Sequence, residues 1–132
     1  MEVRWNFTEF IDYIDGLGHP LGGEGLLKSM RAKMKDILKA VMAKMKGSLS
    51  PQPGCFALLG VDFLLDEDER LWLLEFTKNP ALRCNTPWLT GLHSALVQGI
   101  VDIALEVKEG RAEGNDMASV GETTSFARIP GL

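Results

Sequence analysis

Two apolar runs separated by five charged residues constrain this chain more than any other feature. Phe56, Leu58, Leu59, Val61, Phe63, Leu64 and Leu65 precede Asp66-Glu67-Asp68-Glu69-Arg70, and Leu71-Trp72-Leu73-Leu74-Glu75 follows. Apolar runs of this length bounded by turn residues read as β-strands, and the pair as a hairpin over residues 55–77. The first run is nearly continuous, the pattern of a strand covered on both faces, so it is expected in the middle of a covered sheet. Two strands are marginal alone, so the hairpin needs further partners.

Each strand carries a carboxylate, Asp62 in the first and Glu75 in the second. If the turn closes symmetrically over residues 67–70, Asp62 lies directly opposite Glu75; a tighter turn offsets them. Like charges facing across a strand pair repel, and an unpaired carboxylate in an apolar setting is costly. A cation between them would relieve both. Two carboxylates on a rigid face suit Mg²⁺, which fills its remaining positions with phosphate and water. The competing reading is a hairpin with two carboxylates at its solvent rim.

The flanks read as helices. Phe7, Phe10, Ile11, Ile14 and Leu17 have helical spacing, with Thr8 as the expected cap and Gly16 or Gly18 as the stop. Five glycines lie within residues 16–25. No Gly-Lys-Ser/Thr follows them and no strand precedes them, so they are not a phosphate-binding loop. Residues 24–46 form a long amphipathic helix with the stripe Leu27, Met30, Met34, Ile37, Leu38, Val41 and Met45. Lys28, Arg31, Lys33, Lys35, Lys39, Lys44 and Lys46 stand against Glu24 and Asp36 there. Such a helix serves as a core-packed helix with a solvated outer face, a contact for an acidic partner, a membrane-surface helix or a calmodulin target. After a Pro- and Gly-containing loop over 78–87, Thr86 caps and Pro87 opens a last helix. Its stripe is Trp88, Leu89, Leu92, Leu96, Ile100, Ile103 and Val107, and it is expected to end near Gly110. His93 falls beside that stripe and is read as peripheral. Residues 109–132 read as a flexible tail.

Composition excludes several classes. The 132 residues, 45% of them hydrophobic, can build a core, and the net charge of −4 offers nucleic acid no global basic field. Cys55 and Cys84 make neither a disulfide framework nor a CxxC zinc motif, which fits a reducing intracellular compartment; Cys55, opening the first apolar run, is expected in the core. No uninterrupted run reaches the roughly 18 apolar residues of a membrane span.

The stretch Gly60-Val61-Asp62, the acidic turn, and Trp72-Leu73-Leu74-Glu75-Phe76-Thr77-Lys78-Asn79-Pro80 resembles the end of the catalytic domain of the tubulin tyrosine ligase-like family, in its polyglycylase branch. There a G-x-D strand and an acidic turn precede W-L-L-E-x-N-x-x-P. The likeness spans about residues 5–107. It implies an α+β fold, the C-terminal part of an ATP-grasp domain over residues 1–108, with the hairpin flanked by amphipathic helices. It implies a reaction in which ATP phosphorylates a glutamate side chain on a tubulin tail and the amine of an amino acid, glycine in this branch, displaces the phosphate. The cofactors implied are ATP and Mg²⁺. The metal ligands carried over are Asp62, Glu75 and the position of Thr77, where the family has asparagine; no catalytic residue is carried over. Lys28, Arg31, Lys33, Lys35 and Lys39 are then expected to hold acidic tails. The setting implied is the cytoplasm and its microtubules, including those of cilia. Two departures point to an inactive form: Thr77 is shorter than the asparagine it replaces, and no upstream nucleotide lobe is recognisable. Asn79 shares a period-two face with Glu75 and Thr77 and is a possible substitute, although Pro80 argues that the strand has ended. The alternative function is a non-catalytic module that binds acidic protein tails through residues 24–46.

Overall fold

The computed structural model describes residues 5–49, 55–112 and 126. They form three α-helices, one 3₁₀ turn and a two-stranded sheet, an α+β arrangement. Helix α1 spans Phe7–Gly16, α2 Gly22–Met45, the 3₁₀ turn Lys46–Ser48, β1 Leu59–Leu65, β2 Leu71–Lys78 and α3 Pro87–Ala112. The chain divides into two compact units, one of residues 1–48 with 62–75 and one of residues 49–61 with 76–131.

In the first unit α1 begins at Asn6, not at the expected Thr8. The Asn6 side chain accepts the Glu9 N–H at 2.9 Å, and Glu9 Oε2 accepts the Asn6 N–H at 2.7 Å. This reciprocal box satisfies two end donors where Thr8, already inside the helix, satisfies none. At the other end Gly18 takes φ +69°, its N–H reaching the Asp15 carbonyl at 3.0 Å and that of His19 the Ile14 carbonyl at 3.4 Å. That pairing closes a helix on a left-handed glycine. Helix α2 has no side-chain cap of its own; Asp15 Oδ1 on α1 accepts the Gly23 N–H at 2.6 Å instead. A Cβ on Gly23 would stand 2.5 Å from the Ile11 carbonyl oxygen, so the glycines let two backbones cross closely. Beside that crossing sit Leu26 and Leu27, the buried apolar side chains among the described residues. Met30, Met34, Ile37, Leu38 and Val41 are half-buried, and Met45 is exposed.

The first strand departs from expectation. It starts at Leu59, so Cys55 precedes it and is exposed. Val61, Phe63 and Leu65 are half-buried, while Asp62 and Leu64 are exposed. The strand pairs with β2 alone among the described residues, so its second apolar face has no layer to enter.

In the second unit Thr86 caps α3 as expected: its Oγ1 accepts the Leu89 N–H at 3.3 Å, with Pro87 as the first helical residue. The half-buried side of α3 runs Leu89, His93, Leu96, Ile100, Ile103 and Val107; Trp88 and Leu92 are exposed. The helix continues past Gly110 to Ala112, and the rest of the expected tail lies outside the described residues apart from half-buried Phe126. Phe126 joins Phe56, Leu58, Ile100, Ile103 and Val107 around an apolar cavity of about 530 Å³. No uninterrupted apolar run was expected to reach a membrane span. Yet residues 87–110 are, by length and mean hydropathy (1.3), long and apolar enough for one, because a mean over the helix tolerates the polar residues that interrupt a run.

Candidate functional site: the carboxylate face of the hairpin

The turn is tighter than four residues. The Asp66 N–H donates to the Arg70 carbonyl at 3.0 Å and the Glu69 N–H to the Asp66 carbonyl at 3.1 Å, leaving residues 67–69 as the loop. Glu69 carries φ +58°, the left-handed residue that a three-residue hairpin loop requires. Counted from the Asp66–Arg70 pair without interruption, Asp62 would oppose Leu74 and not Glu75.

The alternation of β2 breaks at that point. Leu71 and Leu73 are half-buried, Leu74 and Glu75 are both exposed, and Phe76 is half-buried again. One extra residue in β2 accounts for the slip. Such a bulge at Leu74 and Glu75 returns Glu75 to the exposed side of the strand, and Asp62 is exposed as well. In the other unit a Cβ on Gly60 would lie 3.2 Å from the Pro80 Cβ and 3.5 Å from the Thr77 Cβ. The turn is the tighter of the two that the sequence allows, the one that offsets Asp62 from Glu75.

Both carboxylates are exposed, and neither has a hydrogen bond or ion pair with another described residue. Thr77 is exposed and follows Glu75 on β2 at same-face spacing. The strand ends at Lys78, and Asn79 takes φ +52°, so period-two spacing does not extend from Thr77 to Asn79. Among the described residues no three of His, Cys, Asp and Glu cluster as a metal site.

The turn is braced from within. Asp66 Oδ1 accepts the N–H groups of Asp68 at 3.0 Å and Arg70 at 2.8 Å, and Oδ2 accepts the Trp72 indole N–H at 2.8 Å. The Trp72 indole first, and then the Arg70 N–H, hold the Asp66 carboxyl below the usual aspartate range. The Arg70 guanidinium also bonds the Asp68 carboxylate.

The basic residues divide. Lys28, Arg31, Lys33, Lys35 and Lys39 are all exposed. Helical spacing puts Lys28, Lys35 and Lys39 on one stripe and Lys33 on another side. Lys33 Nζ donates to the Glu69 carbonyl at 3.0 Å, and the Arg31 guanidinium lies 4.9 Å from the centre of the Phe7 ring. Of the five, Lys28, Lys35 and Lys39 have no side-chain partner among the described residues. Two further features escaped the sequence. His19 Nε2 lies 2.8 Å from Glu69 Oε1, fifty residues along the chain. His93, read as peripheral, is half-buried with its Nδ1 3.8 Å from Cys84 Sγ. An Asp at the first turn position signals a side-chain-braced turn; nothing in the order of residues links His19 or Cys84 to its partner.

The model of the tubulin-tyrosine ligase family matches residues 5–112. The chain belongs to this family. Protein polyglycylase TTLL10 of Rattus norvegicus is 38% identical over 97 residues, covering 74% of this chain and 14% of that protein. Inactive polyglycylase TTLL10 of Homo sapiens is 30% identical over 97 residues, again 74% and 14%. Tubulin polyglutamylase ttll-4 of Caenorhabditis briggsae is 25% identical over 109 residues, covering 76% of this chain and 17% of that protein. The chain thus spans less than a fifth of the length of these relatives. No solved structure matches it.

Proposed function

We propose that this chain is the metal-binding segment of an ATP-dependent ligase that joins an amino acid, glycine in the nearest branch, to glutamate side chains of tubulin tails. The reading is supported by two exposed carboxylates, Asp62 and Glu75, on the two strands of one hairpin. The donors fit Mg²⁺ in part: two carboxylates with no partner among the described residues supply hard oxygens on one hairpin, and the shorter Thr77 hydroxyl stands where the family resemblance calls for an amide oxygen. Magnesium held there by Asp62 and Glu75 would supply positive charge to offset that of the nucleotide phosphates. Asp62 and Glu75 are the cofactor-binding residues of this reading, and the ATP-grasp fold enters only through the family. This chain's residues hold and orient the cation, and Thr77 holds it weakly. The form with threonine is inactive or nearly so, by a factor of roughly 10²–10⁴ in rate, the order lost with one charge-stabilising group. The setting that goes with this reading is microtubular and cytoplasmic.

Titration with Mn²⁺ as a spectroscopic stand-in tests the site. Saturable binding that is abolished in Glu75→Gln and strengthened in Thr77→Asn is expected. Binding unaffected by Glu75→Gln removes the reading.

A second reading has its own observation. Lys28, Lys35 and Lys39 form an exposed stripe with no partner among the described residues. An inactive chain that keeps this stripe would act as a module holding acidic tails. The stripe would then bind a glutamate-rich peptide in a salt-sensitive manner with no need for Mg²⁺ or nucleotide.

A further inference from the structure

We propose that His19 and Lys33 are positioning residues that act on the Asp62–Glu75 pair through Glu69; the inference rests on the metal-site reading above. Three observations meet at the tip of the hairpin. Glu69 stands in the left-handed region at φ +58°, where a glutamate is uncommon, and its side chain and its carbonyl are both engaged from outside the hairpin. His19 reaches the side chain: Nε2 lies 2.8 Å from Glu69 Oε1. The Leu21 N–H donates to Nδ1 at 3.2 Å, so Nε2 is the protonated nitrogen and the ring donates to the carboxylate. Lys33 reaches the backbone, its ammonium donating to the Glu69 carbonyl at 3.0 Å.

These two anchors come from independently fixed places. His19 follows the left-handed Gly18 that closes α1, and its side chain is only 17% exposed, so it is seated and not loosely draped. Lys33 lies in the middle of α2. A two-stranded hairpin has little stiffness of its own, and the bulge at Leu74 and Glu75 adds local twist. Holding the tip at one residue, from the loop between the helices and from α2, fixes the twist of the strands between the tip and the bulge. Asp62 and Glu75 stand at the far end of that braced stretch, in the same compact unit as His19, Lys33 and Glu69. The clamp therefore pre-sets the spacing of two carboxylates that would otherwise repel, as outer groups orient metal ligands elsewhere. Lys33 belongs to this device and not to the tail-binding stripe.

The test is a Mg²⁺ titration of the 132-residue chain, followed through the amide resonances of Asp62 and Glu75, with the thermal midpoint recorded for each variant. Glu75→Gln serves as the control for the metal site. His19→Ala and Glu69→Gly are expected to weaken Mg²⁺ binding roughly 10-fold, the order seen when an outer-shell partner is lost. Glu69→Gly keeps the turn conformation and the carbonyl and removes only the carboxylate. His19→Gln, which retains a donor of similar reach, is expected to restore most of the affinity. A lower thermal midpoint with unchanged Mg²⁺ affinity in His19→Ala and Glu69→Gly overturns the proposal and leaves the metal site standing. Absence of saturable shifts in the unsubstituted chain, or their persistence in Glu75→Gln, overturns the metal site and the clamp together.

Discussion

Gly23 has no room for a methyl group: its Cβ would sit 2.5 Å from one backbone oxygen and 2.6 Å from the Cα of Ile11. Gly23→Ala should therefore force α1 and α2 apart and cost about 1–3 kcal/mol, measured by denaturant unfolding. Gly47→Ala, with open space around it, should cost far less. A second prediction concerns Asp66, whose folded-state pKa is lowered by the Trp72 indole and the Arg70 N–H. A lowered carboxyl pKa contributes stability that is complete above the ordinary aspartate range and disappears as pH falls through the lowered folded value. The Trp72 indole proton should move in NMR across that acidic window, and Asp66→Asn should abolish the transition. A transition that survives in Asp66→Asn would assign it to another group. At this scale the sequence was legible where chemistry is local. Thr86 and Pro87 were identified from capping rules. Asn6 displaced Thr8 because the reciprocal bond with Glu9 outweighs a single hydroxyl. His19 with Glu69 and His93 with Cys84 are contacts of the fold, and no periodicity encodes them.

The elements followed their patterns where one face alone decides burial. Helix α2 kept its Met-rich stripe, and the glycines ahead of it proved to be a close helix crossing, in keeping with the rejection of a phosphate loop. The hairpin was legible as a hairpin, but its register was not. Neither the turn, one residue shorter, nor the break in alternation at Leu74 and Glu75 is visible in an apolar run that lacks alternation. The first strand read as doubly covered because its residues are apolar on both sides, whereas burial depends on layers that the described residues do not supply. Exposed Leu64, Trp72 and Leu74 are the consequence. For α2 the prediction is directional. Reversing Lys28, Lys35 and Lys39 to Glu should weaken binding of a glutamate-rich peptide, with the loss shrinking as salt rises. Lys33→Gln should leave that binding nearly intact and instead raise hydrogen exchange at the hairpin turn. Equal losses of peptide binding from both would contradict the division of the basic residues.

For the whole molecule, family membership covers the pieces: the hairpin, the basic helix and the long apolar helix of this chain all lie within the residues 5–112 that match the tubulin-tyrosine ligase family. Relatives bearing polyglycylase and polyglutamylase names both match the chain. On the proposed reading, Thr77 is what separates keeping the fold from keeping the reaction. The most direct test replaces the matching segment of the rat polyglycylase with residues 5–112 of this chain, with either Thr77 or Thr77→Asn, and measures glycine incorporation into tubulin. The account predicts that the asparagine form exceeds the threonine form by roughly 10²-fold or more. Incorporation at equal rates by the two chimeras would contradict it.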